Sequence, residues 1–192
     1  GSVRLGVHPV LLLEPLRSAA PGRSAQVFEA VVSHCDAGSA GARVMLVDEQ
    51  SEFGGSLLSQ RDVASVAADP ASDGSIGGAS PMAWVTRTVA RLGTMPDVRL
   101  LPRSTVFGYH DQNFLTIAER LTDHLPPADR KGPRERLWRV RAKQVVLATG
   151  AMERPLVFAN NDRPGVMLAS AVSAYVNRYG VQPGKRAVVF TN

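Results

Sequence analysis

The stretch that most constrains this chain is residues 143–150, KQVVLATG, where an apolar run passes directly into a Thr-Gly pair. Residues 144–148 are short, mostly apolar and partly β-branched, so they read as a parallel strand buried on both faces. Thr149 and Gly150 fall where that strand ends. Ligands of open α/β sheets bind outside the carboxyl ends of the strands, and a glycine there admits backbone close to a nucleotide. Taken by itself, the plainer reading is an ordinary strand with a glycine turn. A second motif of matching chemistry is needed to make it a cofactor edge.

Residues 42–48, ARVMLVD, supply that motif. The run alternates little, as expected of a strand buried on both faces, and it ends in the acidic pair Asp48-Glu49. A carboxylate at the end of the second strand of a dinucleotide fold offers two acceptor oxygens to the adenosine ribose hydroxyls. Gly54-Gly55-Ser56 follows. Paired glycines permit positive φ, and Ser56 opens a short helical pattern whose amides are candidates to face a pyrophosphate. The competing reading is a surface acid followed by a glycine turn.

Composition narrows the function classes. The 192 residues suit one domain or one and a half. No apolar run reaches the length of a membrane span and residues 10–13 are too short for a signal-peptide core, which makes a cytoplasmic protein the expectation. The lone Cys35 excludes an intrachain disulfide, a CxxC pair and a cysteine-rich zinc site, and with them thiol-disulfide reductase chemistry. The net charge of +5 does not point to nucleic acid, because basic residues are scattered and the one dense stretch, residues 130–141, has Trp138 as its single aromatic.

Along the chain, residues 10–13 read as a short strand and Ser24 as the cap of a helix over 25–34. Residues 60–79 read as an exposed excursion. Ser80-Pro81 opens a helix with Trp84, Val85, Thr88 and Leu92 at helical spacing, stopped at Pro96-Asp97. Residues 98–101, 105–109 and 114–121 read as strands, the last two joined by the turn at 111–113, and 125–134 as a polar loop. In 138–141 Trp138 and Val140 share one face and Arg139 and Arg141 the other, the pattern of a half-exposed antiparallel strand. These form a small β-meander inserted between Rossmann elements. A helix over 167–178 follows, and 186–191, RAVVFT, reads as a further apolar strand opening a second α/β unit.

The segments 42–58, 97–113 and 138–192 resemble the α subunit of heterotetrameric sarcosine oxidase, within the two-dinucleotide-binding-domain flavoproteins. The resemblance covers about residues 40–192, and VDEQSEFGGSL together with ATGAMERPLVFANNDRPGV is far narrower than a lone glycine pattern. It implies an α/β, Rossmann-like FAD/NAD(P)-binding domain with an inserted antiparallel meander, incomplete at both ends: a divergent segment 1–39, the nucleotide-binding domain 40–180, and the start of a second unit at 181–192. The family subunit works with β, γ and δ partners to oxidise the N-methyl group of sarcosine, giving glycine, hydrogen peroxide and formaldehyde, or methylene-tetrahydrofolate when tetrahydrofolate accepts the carbon. The resemblance implies NAD at this site, with FAD as the alternative, FMN at the interface with a partner subunit, and no catalytic residue or metal ligand in this stretch. Carried over by motif position, Asp48, Glu49 and Gln50 meet the adenosine ribose, and Gly54, Gly55 and Ser56 line the pyrophosphate. Val106 meets the adenine through its backbone, and Thr149 and Gly150 close over the cofactor from the central strand. His110, His124, Arg154 and Asp162 have no partner constellation and read as surface or turn residues.

One departure accompanies the match. The family pattern calls for a strand and a GxGxxG turn ahead of GARVMLVDE, and the chain has SHCDAGSAGARV instead. A deletion, a frameshift or a divergent paralogue each gives this sequence. Alternatively, residues 10–35 supply a substitute strand and helix. The competing functions are therefore a cofactor-binding portion of a sarcosine oxidase α-subunit-like protein, an FAD-binding part of another amine or amino-acid dehydrogenase, and a cofactor-free remnant serving as an interaction module.

Overall fold

The computed structural model describes residues 43–60, 76, 78–149 and 153–190, and the backbone of 9–13. The expected helix over 25–34, most of the excursion at 60–79, and Gly150 lie outside the described residues.

Two strands open the fold, β1 (Pro9–Leu13) and β2 (Arg43–Val47), followed by a tight 3-10 turn at Gly55–Ser59 and the helix α1 (Pro81–Gly93). Then come β3 (Val98–Leu101), β4 (Ser104–His110), β5 (Phe114–Arg120), β6 (Glu135–Arg141) and β7 (Gln144–Leu147). The last helix begins as α2 (Ala169–Ser173) and continues as a π-helical turn over Ala174–Arg178. Strands β3, β2, β1 and β7 form one parallel sheet in that order, and β4, β5 and β6 a second, antiparallel sheet. The order 3-2-1 followed by a strand on the far side of β1 is the first half of a doubly wound dinucleotide fold.

β2 shows why its sequence had to be apolar throughout. Its side chains alternate between two cores. Val44 and Leu46 join Phe53, Leu57, Trp84, Val85 and Leu92 on the α1 face. Met45 and Val47 join Leu101, Leu115, Ile117, Trp138 and Val140 on the meander face. Each of the four is at most 2% exposed, so the strand is the filling between a helical layer and a β layer.

α1 starts where the sequence says it should: the Ser80 hydroxyl accepts from the Ala83 amide at 3.3 Å and Pro81 occupies the first turn. The meander also follows its pattern. Leu115 and Ile117 of β5 face inward with Trp138 and Val140 of β6, while Arg139 and Arg141 stay exposed. Trp138 keeps its indole N–H satisfied by donating to Glu119 Oε2 at 2.7 Å. Residues 98–101 pair with β2 in the parallel sheet, and the turn at Pro102-Arg103 carries the chain across to the meander.

Two expectations are corrected and one alternative is met in part. β7 is parallel, yet it is an edge strand of the described sheet with β1 as its one partner there; Val146 is 42% and Leu147 57% exposed, and Val145 alone packs against the meander core. The central places belong to β1 and β2. Residues 186–190 form no strand, because no sheet edge among the described residues receives them, and Val188 is 96% exposed. Finally, residues 9–13 lie between β2 and β7, where the family's missing first strand would run, so the strand of the proposed substitute exists. The loop and helix after it lie outside the described residues.

Candidate functional site

β2 emerges from between its two layers and delivers Asp48, which is 1% exposed, at the carboxyl edge of the sheet. The Gln50 amide donates to Asp48 Oδ1 at 2.9 Å, an Asx turn that bends the chain off the strand. Backbone bonds then tie the acidic tip to the β3–β4 turn: Asp48 N to Leu101 O at 3.1 Å, Ser104 N to Asp48 O at 2.8 Å, and Arg103 N to Gln50 O at 2.7 Å. Arg103 sits at φ 54°, a left-handed position unusual for a residue with a side chain. Its guanidinium is fixed by Asp123 at 3.2 Å. Burial raises the Asp123 carboxyl, but hydrogen bonds from Arg103 and His124 and the charges of Arg103 and Arg120 outweigh it and leave the group below the usual carboxylate range.

Arg120 adds a further tie by donating to the Glu49 carbonyl at 3.0 Å. Asp48, Glu49 and the start of β4 are thus one rigid unit. Val106 stands two residues further along β4, paired with Ile117 on one side. β4 is an edge strand of its sheet, with a bulge between Val106 and Gly108. A Cβ at Gly108 would collide with the Thr116 hydroxyl and the His110 ring, which accounts for the glycine.

Gly54 and Gly55 both have positive φ, 135° and 53°. At Gly54 a Cβ would stand 3.0 Å from Leu58 and 3.1 Å from Val85, so this glycine is explained by close packing of the turn on α1. Ser56 lies in the five-residue turn Gly55–Ser59, whose Leu57 amide is taken up by the Gly54 carbonyl at 3.0 Å. Gln50 also departs from its expected place. Its Oε1 accepts from Arg178 at 2.7 Å, which turns the side chain toward the last helix.

The other stretch expected at the cofactor is the one after β7. Leu147 and Val47 lie at one level on either side of Leu13 in the register, so the ends of β2 and β7 flank the end of β1 two strand spacings, about 10 Å, apart. Thr149 is exposed. A few residues on, both Glu153 carboxylate oxygens cap the last helix, accepting from Ala169 N at 3.2 Å and Ser170 N at 2.8 Å. Hydrogen bonds from Ser170, partly opposed by burial and helped by the Ala169 amide, hold the Glu153 carboxyl below its ordinary range.

Sequence reasoning missed Arg103, Arg120, Glu153 and Arg178. Their partners lie far away in the chain, and the one local signal was the basic residue in the last turn of a helix, which Arg178 provides. His110 packs at 5.8 Å from the Phe114 ring and His124 sits 3.4 Å from Asp123, while Arg154 and Asp162 are exposed. Among the described residues no group of three or more His, Cys, Asp or Glu is placed to hold a metal, and no helix is long and apolar enough to cross a membrane.

The residues present suit an adenine nucleotide on the β2 side: a buried carboxylate ends the second strand, and the open edge of β4 is tied directly to it. Strand order and acidic tip together define a Rossmann-type nucleotide-binding unit. No family model matches the chain. Among curated proteins it is 48% identical over 157 residues to sarcosine oxidase subunit α of Corynebacterium sp. (strain P-1), covering 81% of this chain and 15% of that protein. It is 42% identical over 203 residues to the same subunit of Rhizobium meliloti (strain 1021), covering 94% of this chain and 19% of that protein. The second alignment is longer than the 192-residue chain, so that relative carries residues with no counterpart here. Over the aligned residues the chain belongs to the sarcosine oxidase α-subunit family, and it spans 15–19% of the length of these relatives. Among solved structures, L-proline dehydrogenase from P. horikoshii superposes with a TM-score of 0.59 at 18% identity, covering 93% of this chain and 30% of that one. At that identity what is shared is the fold.

Proposed function

We propose that this chain is the adenine-dinucleotide-binding portion of a sarcosine oxidase α-subunit-like protein, that the dinucleotide it holds is NAD, and that its residues contribute no catalytic base. The observation that carries this reading is Asp48, buried at the carboxyl end of β2 in a 3-2-1 parallel sheet and tied by backbone bonds to β4. A carboxylate so placed accepts from ribose hydroxyls, and the backbone of β4 at Val106 presents an extended edge to a base. In this reading Thr149, exposed beyond the end of β7, faces the cofactor from the opposite side. Bound there, the nucleotide supplies whatever redox chemistry it carries, while the protein's share is to bind and orient it. The role in oxidative demethylation of sarcosine, the β, γ and δ partners and an FMN at a subunit interface belong to this proposal through the family.

The test is to purify the chain, denature it and chromatograph what is released. NAD in the supernatant supports the reading. FAD with a yellow colour replaces NAD by flavin at the same site. Release of neither, with no thermal shift on adding either nucleotide, overturns it.

A further inference from the structure

The last helix does more than follow β7 in the chain. At its start, Glu153 from the segment just after Thr149 caps Ala169 and Ser170. At its end, three side chains reach the loop that follows Asp48. Ser173 Oγ and Asn177 Nδ2 both donate to the Ser59 carbonyl, at 2.8 and 3.0 Å. Asn177 also donates to Ser173 Oγ at 3.1 Å, which locks the pair. Arg178 donates to Gln50 Oε1 at 2.7 Å and pairs with Glu52 Oε2 at 3.3 Å.

These contacts bracket Gly54, Gly55 and Ser56 from both sides: Gln50 and Glu52 before them, Ser59 after them. The bracketed loop has two positive-φ glycines and is held from below by Phe53, Leu57 and Leu58. Gly180, at φ 64°, ends the helix, and the Val181 amide bonds back to Tyr175 O at 2.8 Å, so the turn is closed rather than frayed. The Arg178 side chain is only 19% exposed and lies over the Tyr179 ring at 5.6 Å, so it is already ordered.

We propose that the helix at residues 169–178 is a strut joining the two walls of the nucleotide cleft, and that Arg178 is the positioning residue that holds loop 50–59 in its binding shape. The role of the strut in binding rests on the dinucleotide reading above; its hold on the loop does not. Arg178 touches no nucleotide in this scheme and acts through Gln50 and Glu52. Arginine suits the post because one planar fork serves an amide oxygen and a carboxylate together, which the point charge of lysine does less well.

The experiment compares the wild-type chain with Arg178→Ala, Arg178→Lys and Glu52→Gln. Amide hydrogen exchange is read in loop 50–59 and in the meander, and NAD and FAD are titrated into each protein. Arg178→Ala is expected to speed exchange in loop 50–59 by about tenfold, the worth of one charge-assisted hydrogen bond, with the meander unchanged. The affinity for whichever dinucleotide the wild type binds falls by a similar factor. Arg178→Lys recovers part of both losses. Glu52→Gln, at an exposed position where folding is not at risk, gives a smaller change of about threefold, the size of a surface ion pair. Unchanged exchange in loop 50–59, or equal acceleration throughout the protein, overturns the strut. Faster loop exchange with unchanged affinity overturns the positioning role alone. Wild-type protein that binds neither nucleotide removes the dinucleotide reading, and the positioning role with it, whatever the loop does.

Discussion

The two sides of the proposed nucleotide cleft are built by different means. On the β2 side, Asp48 directly follows a strand packed between two layers, with Leu46 fully buried and Val47 2% exposed. On the β7 side, Thr149 lies two residues past an edge strand whose Val146 and Leu147 remain exposed, and the chain beyond it leaves Val157 and Val188 at 94% and 96% exposure. The first wall is fixed by apolar packing and backbone ladders. The second has a ladder to β1 on one side only, and the segment after it is held by a carboxylate cap on the last helix. Packing carries most of the first wall, with Arg103 and Arg120 adding charged ties, whereas the segment after β7 leans on the ionised Glu153.

The contrast can be broken most directly in the core. Leu46→Ala removes a fully buried side chain from beneath the acid and is expected to cost about 2 to 5 kcal/mol in denaturant unfolding. Val188→Ala on the exposed segment is expected to stay within about 0.5 kcal/mol. Equal losses at the two sites would erase the distinction. Gly54→Ala comes next: with φ 135° and Leu58 and Val85 in contact range, it is expected to destabilise by about 2 to 3 kcal/mol in the same measurement. Ser80→Ala removes the cap of the helix that covers β2, for about 1 kcal/mol.

The smallest effect belongs to the second wall and depends on pH. Glu153 has a lowered carboxyl pKa in the folded chain, so its contribution is fully present above the ordinary glutamate range and is lost as pH falls through the depressed value. Glu153→Gln should therefore lower the thermal midpoint at neutral pH by an amount worth less than about 1 kcal/mol, given its partial exposure. The gap between the two proteins should close in acid. A gap that stays constant from neutral pH into that acid range would show that the cap does not act through its charge.

How much of this was legible in the sequence follows the same division. β2, the Ser80-capped helix and the meander were readable because each is specified locally, by an unbroken apolar run, a Ser-Pro start and an alternating Trp138, Val140 face. The exposure of β7 was not, since Gln144–Leu147 reads the same whether a strand has one neighbour or two, and sheet order is a property of the whole chain. The run at 186–190 looked like a strand for the same reason, although a strand needs an edge to pair with. The buried position of Asp48 after β2 was legible from the apolar run before it. Gln50 was assigned to the ligand because its partner, Arg178, lies 128 positions away. Gly54 was read as a phosphate glycine when contact with Leu58 and Val85 already requires it.

The account stands or falls on Asp48 as the ribose acceptor of a dinucleotide. The decisive measurement is calorimetric titration of NAD and FAD into the wild-type chain and into Asp48→Ala, with the thermal midpoint of each recorded alongside. Loss of a charged hydrogen-bond acceptor predicts affinity weakened by about tenfold or more while the protein remains folded. Equal affinity in the two proteins would contradict the account and remove Asp48 from the site.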